Sequence, residues 1–296
     1  MNILKGNFFL FIASFIWGTA FVAQAVGMEF VGPLTFTFVR FLFGGMVVLP
    51  LLIIYESKNF LDTIKNPRNL FLIFLTSLAL GTGATVQQYA LLYTDVSNAA
   101  FITALYVPMV PLILKMFFKK NLHWSIWFAV SICLVGLYFL TNDNKTKISN
   151  FYDMLLVFGA LCFAIQIILN DIYLQNNKTA FTFAFCQYSI IFIATSIFAL
   201  YFEDPTIVNI SKEFYEIFYA GALSVGIAYT LQILGQSNTK PTATAIILSL
   251  EAVFAAIAGW VIINQSMSFI KILGCILIFF GIIIAQIFPI KRLNKK

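Results

Sequence analysis

The chain has few of the residues that carry chemistry in water. Of its 296 residues one is histidine and four are cysteine, and only 10% are charged. A single histidine, His123, cannot furnish the HExxH pair of a zinc protease, and beside Trp124 it reads as an interfacial anchor. No Gly-Lys-Ser/Thr loop is present to cradle nucleotide phosphates, which disfavours a nucleotide-driven pump. Cys133, Cys162, Cys186 and Cys275 stand singly in apolar runs, without CxxC spacing or a histidine nearby, so they read as small buried residues. Asn-x-Ser/Thr triplets at Asn144, Asn177, Asn209 and Asn264 carry little information. Long polar stretches are missing too. The longest connections, Thr141–Asn150 and Glu203–Glu213, are too short to bury a core. A soluble catalytic domain is thereby excluded.

What the chain does have is apolar surface: 61% of residues are hydrophobic, 34 are phenylalanine, and the mean hydropathy is +0.93. Soluble domains run near half apolar and a quarter charged, so this composition belongs in a bilayer. A span needs about 20 apolar residues. Ten runs qualify: Phe8–Val26, Leu34–Ile54, Leu70–Leu92, Ala99–Phe118, Trp124–Leu140, Met154–Leu174, Ala180–Phe202, Phe214–Leu234, Thr242–Ile263 and Phe269–Ile287. Each must be a helix to satisfy its own backbone in lipid. They divide five and five about Thr141–Asn150, giving units 1–145 and 146–296. The expected fold is an all-α integral membrane protein of ten transmembrane helices.

The halves echo each other. Thr35-Phe36-Thr37-Phe38-Val39-Arg40-Phe41 returns as Thr182-Phe183-Ala184-Phe185-Cys186-Gln187-Tyr188, and similar offsets align Gln24 with Gln166, Glu29 with Asp171, Gln88 with Gln232 and Ala99 with Ala243. Because each half has an odd number of spans, the second copy lies inverted. Inverted repeats are how many secondary transporters build one site with two exits.

The net charge of +6 does not indicate nucleic acid. With the N-terminus inside, Lys5, Lys58, Lys65, Arg68, Lys115, Lys119, Lys120, Lys178, Lys240, Lys291, Arg292, Lys295 and Lys296 fall on the cytoplasmic side. Lys145, Lys147, Lys212 and Lys271 fall on the other. This asymmetry predicts cytoplasmic termini, with Lys291–Lys296 as a topology anchor. An alternative takes Lys5, the first apolar run and Ala23-Gln24-Ala25 as a cleaved signal peptide; cleavage would leave four spans in the first half and destroy the inverted symmetry.

Several segments resemble a known family. Trp17-Gly18-Thr19-Ala20-Phe21-Val22, Gly32-Pro33-Leu34-Thr35-Phe36 through Arg40-Phe41, Gln87-Gln88-Tyr89-Ala90-Leu91-Leu92-Tyr93-Thr94 with Asn98-Ala99-Ala100-Phe101-Ile102, and Leu250-Glu251-Ala252-Val253-Phe254 are similar to motifs of the drug/metabolite transporter superfamily, in particular its bacterial EamA-type members. Ala252 replaces that family's usual proline, and Asn264-Gln265 its Gly-Glu. The resemblance implies a carrier of small metabolites in the inner membrane with a central cavity between the halves.

Polar groups inside spans cost roughly 2.5–3.5 kcal/mol when ionisable, so each needs a reason. Glu251 is the candidate proton- or cation-responsive group. Arg40 either anchors a carboxylate or phosphate or serves structure and gating. Gln24, Gln88, Gln166, Gln187 and Gln232 read as amides of gates, of cavity walls or of helix contacts. Trp17, Tyr106 and Tyr229, with Tyr89 and Tyr188, are candidates for lining a cavity. The stripe Ala245, Ser249, Ala252, Ala256 and Gly259 permits close helix approach. Glu203, Asp204, Glu213 and Glu216 read as a solvated loop rather than as the acids of a lipid-modifying enzyme.

The expected function is alternating-access transport of a small metabolite such as an amino acid, in the export direction by family analogy, by a monomer or homodimer. No cofactor or metal is expected, though coupling to protons is open. The alternative is import or exchange of a host metabolite, nucleotide-related or S-adenosylmethionine-like, in an intracellular bacterium; lysine outnumbers arginine in the manner of an AT-rich genome. A channel and an intramembrane enzyme are more remote.

Overall fold

A computed structural model describes residues 3–94, 96–141, 151–263 and 268–293. The expected divider beyond Thr141, with Asn144, Lys145 and Lys147, lies outside the described residues, as do Asn264-Gln265 and the side chains of Lys291–Lys296. Among the described residues every regular element is helical. Eight segments are long and apolar enough to cross a membrane, and two shorter apolar helices, Trp124–Phe139 and Phe269–Ala285, stand where the fifth and tenth spans were expected.

Five of the eight are single helices: α1 (Ile3–Val26), α2 (Pro33–Tyr55), α4 (Pro67–Ala90), α8 (Phe151–Leu174) and α9 (Ala180–Phe202). Pro33 and Pro67 begin α2 and α4, where the missing N–H costs nothing. The expected fourth span is broken into α5 (Val96–Thr103) and α6 (Tyr106–Met116). Its physical cause is Pro108, which has no N–H for the Ala104 carbonyl; Val107 supplies one instead at 3.0 Å, tightening the turn. The expected ninth span is broken the same way, into α13 (Pro241–Leu248) and α14 (Leu250–Ile263). No proline is needed there. The Ser249 hydroxyl donates back to the Ile246 carbonyl at 2.7 Å, and Ala252 N donates to Ser249 O at 3.2 Å. The expected eighth span joins α11 (Phe214–Phe218), a π-helical stretch (Tyr219–Tyr229) and α12 (Thr230–Gln236). None of these interruptions had been read from the sequence.

The remaining helices are α3 (Ser57–Lys65), α7 (Trp124–Thr141), α10 (Ile207–Lys212) and α15 (Phe269–Leu293). Two of these, α3 and α10, are short links between spans that were expected to be loops. Residues such as Ile193, Ile197, Phe198 and Leu200 point outward from α9 and stay exposed, as a lipid-facing surface requires.

The packing shows the inverted repeat. Helix α2 lies against α9, and α7 against α15, so each of these spans meets its own counterpart. The contact of α4 with α8 recurs as the contact of the eighth span with α1. Helix α1 also packs on α13 and α14.

Between α2 and α9 the symmetry holds atom for atom. Glu56, just after α2, accepts hydrogen bonds from Phe181 N (3.2 Å) and Thr182 N (2.8 Å) at the start of α9. Glu203, just after α9, accepts from Leu34 N (2.9 Å) and Thr35 N (2.7 Å) at the start of α2. Glu203, Phe181 and Thr182 each stand 147 positions beyond Glu56, Leu34 and Thr35. Negative charge at a helix N-terminus is favoured, and these carboxylates occupy two such termini. The reading of Glu203 and Glu213 as merely solvated loop acids is corrected here: Glu213, buried, accepts from Phe30 N at 3.0 Å.

Candidate functional site

A narrow cavity of about 40 Å³ sits between the halves. Its wall includes Trp17 and Gln24 from α1, Arg40 from α2, Tyr106 from α6, Gln166 from α8, Tyr229 and Gln232 from the eighth span, and Glu251 from α14. Eight of the ten residues singled out in the sequence thus converge. Gln88 and Gln187 do not reach the wall. Gln88 is buried and donates to Gln24 O at 2.9 Å and to the Met28 sulfur at 3.0 Å. Gln187 is also buried, and neither its amide nitrogen nor its oxygen has a hydrogen-bond partner. Of the other aromatics, Tyr89 is exposed beside Tyr93 and Tyr152, while Tyr188 is buried against Thr230 at 3.1 Å.

The span interruptions put Tyr106 and Glu251 in place. Each follows a leucine at a break, Leu105 before Tyr106 and Leu250 before Glu251, so they occupy equivalent positions in the two repeats. They face each other closely enough to interact electrostatically. Both groups are buried, and the Tyr106 hydroxyl faces the Glu251 carboxylate, a donor against an acceptor, so the two are polar partners of one another at the cavity wall.

Next to them, the Trp17 ring lies 4.6 Å from the Tyr229 ring, centroid to centroid. The Trp17 Nε1 donates to Ser224 O at 3.1 Å in the π-helical stretch, which fixes the indole face. Gly18 permits this arrangement: a Cβ there would fall 2.4 Å from Phe254 Cβ and 2.8 Å from both Ala255 N and Glu251 O. The Trp-Gly pair therefore sets the indole and brings α1 onto the backbone of Glu251.

Arg40 is held differently. Its Nη1 donates to Gln24 Oε1 and its Nη2 to Ala84 O at 3.2 Å, while its guanidinium lies over the rings of Phe36 (5.8 Å) and Phe41 (5.6 Å). Only Nε is left unpartnered. Arg40 thus binds three helices together and still presents charge to the cavity. Arg40→Lys keeps the charge but loses the fork and the stacking. It is expected to lower stability by about 2 kcal/mol, measurable as a fall in melting temperature of the purified protein.

Amides complete the wall. Gln166 and Gln232 bond side chain to side chain at 3.2 Å. Sequence reading missed Gln87, whose Nε2 donates to Thr103 Oγ1 at 3.0 Å beside the cavity, and the Asn170–Gln236 pair at 2.9 Å. Gln87 adjoins Gln88, and helical rotation alone decides which of two neighbours faces inward. No cluster of three or more histidine, cysteine or acidic residues suited to a metal exists among the described residues.

The EamA-like transporter family matches this chain twice, over residues 4–142 and 150–286. A protein from Archaeoglobus fulgidus named "Uncharacterized transporter" is 29% identical over 94% of this chain and 84% of its own length. The "S-adenosylmethionine uptake transporter" of Rickettsia bellii is 28% identical over 77% of this chain and 75% of that protein. "Uncharacterized transporter YwfM" of Bacillus subtilis is 25% identical over 98% and 97%. A solved crystal structure superposes with a TM-score of 0.79 over 97% of this chain and 98% of the other at 16% identity, a likeness of fold. Two family matches, one per repeat, and full-length transporter relatives place the polypeptide: it is a multi-pass membrane transporter belonging to the EamA-like transporter family.

Proposed function

We propose that the cavity carries a small zwitterionic metabolite across the bacterial inner membrane by alternating access, with its cationic group against Glu251, Trp17 and Tyr229 and its anionic end toward Arg40. The carrying observation is a buried carboxylate on the wall of a cavity that two ordered aromatic rings also line. A carboxylate with aromatic faces attracts an ammonium or sulfonium group both by charge and by the ring quadrupole. Arg40 supplies the opposite sign, and Tyr229 lies within electrostatic reach of both. An amino acid or a related compound meets this requirement.

In this reading α7 and α15 are the fifth and tenth spans, and the lysine asymmetry supports cytoplasmic termini. Export is the direction suggested by the family resemblance. The Rickettsia relatives named as S-adenosylmethionine uptake transporters favour a second reading, import of a sulfonium zwitterion of that kind. The test is counter-transport in proteoliposomes against amino acids, S-adenosylmethionine and nucleotides. One of the zwitterions is expected to accelerate exchange and to stabilise the purified protein against heat. A response restricted to anionic nucleotides would overturn the assignment. An imposed pH gradient in the same vesicles tests proton coupling.

A further inference from the structure

We propose that Glu56 and Glu203 are positioning residues that pin α2 and α9 into a fixed axle, about which the cavity-lining helices move during transport. Two reciprocal clamps are made, one at each end of this helix pair. At each clamp one carboxylate holds two consecutive backbone N–H groups of the opposite repeat. A Cβ at Gly32 would lie 2.2 Å from the Glu203 carboxyl carbon, so the chain before α2 is shaped to seat that carboxylate.

Three observations favour a fixed pin over a gate that opens. First, opening either clamp would strand two N–H groups and a carboxylate, and Glu56 is buried; charge-assisted bonds of this kind are the strong ones. Second, α9 contributes no residue to the cavity wall and α2 contributes only Arg40. Third, irregular backbone is concentrated in spans that do line the cavity: the α5–α6 break, the π-helical stretch and the α13–α14 break. Helices α2 and α9 are unbroken runs of 23 residues. Compliance therefore lies in the walls and rigidity in the pair behind them. Hinged motion needs both.

The inference rests on the alternating-access reading, and one experiment separates the two. Spin labels are placed on the full-length protein in lipid nanodiscs at three pairs of exposed positions. Ile54 with Lys178 reports the Glu56 end of the α2–α9 pair, Glu29 with Tyr201 the Glu203 end, and Met116 with Lys240 the cavity helices α6 and α13. Distances are read with no added solute, with S-adenosylmethionine and with an amino-acid mixture. The expected result is one narrow distance at both α2–α9 ends in every condition, with two populations or a shift for Met116–Lys240. Two populations at either α2–α9 end would overturn the axle while leaving alternating access standing. A single unchanging distance for all three pairs would overturn both. Glu56→Gln is expected to broaden only its own end and Glu203→Gln only the other, each slowing exchange roughly tenfold. Slowed exchange with both ends still narrow would overturn the positioning role, and the unsubstituted protein carries the test should either variant fail to fold.

Discussion

Replacing Glu251 with glutamine is expected to slow transport of a cation-bearing substrate about a hundredfold, while the melting temperature of the unliganded protein stays within a few degrees. The Glu251 carboxylate faces the Tyr106 hydroxyl. A glutamine amide fits the same space and its oxygen still accepts from that hydroxyl, so stability changes little. The substrate loses a charge-assisted contact to a buried group, worth about 3 kcal/mol, and that converts to roughly a hundredfold. Vesicle exchange and thermal stabilisation by the same solute check it together. If the solute stabilises the native and Glu251→Gln proteins equally, Glu251 is not in its site, and Arg40 with the amides becomes the place to look.

The second large effect concerns packing. Gly18→Val is expected to destabilise the protein by about 3 kcal/mol and to abolish transport. At this position the new side chain would meet Ala255 N and Glu251 O at 2.8 Å, and neither backbone atom can swing aside as a side chain could. Helix α1 would have to back away from α14, carrying Trp17 off its Ser224 contact. Gly45→Ala is the matched control, because a Cβ there meets nothing within 4 Å. That change is expected to be neutral or to stabilise by roughly 0.5–1 kcal/mol, through helix propensity alone. Thermal unfolding in one detergent and one lipid composition compares the pair directly.

Much of this architecture was legible in the sequence because bilayer physics leaves few options. A run such as Ala180–Phe202 must be a helix in lipid, and the structure gives it those very limits. The polar echo was a looser guide: Gln88 donates to the Gln24 backbone carbonyl, whereas Gln232 and Gln166 bond through their side chains, and Gln166 stands six positions short of the register that matches α1 to α8. Which of them faces the cavity was not legible, since Gln87 and Gln88 differ by one step of helical rotation and only tertiary packing fixes the phase. The interruptions were hidden as well. Ser249 is an ordinary helix residue until its hydroxyl turns back to Ile246. Glu56 and Glu203 were within reach, because the register that pairs Thr35 with Thr182 pairs them too; the echo simply runs on to the far end of both helices.

Each charge in the cavity has a neutral counterpart in the other repeat. Arg40 corresponds to Gln187, and Glu251 to Tyr106. The backbone is thus twofold while its electrostatics are polar, like a bar magnet set in a symmetrical case. On the proposed reading, a zwitterion bound between Glu251 and Arg40 would sit with one heading in the cavity. Its two ends would then reach the two exits in different order, and the forward and return half-cycles of a nearly symmetrical scaffold would be expected to have unequal rates.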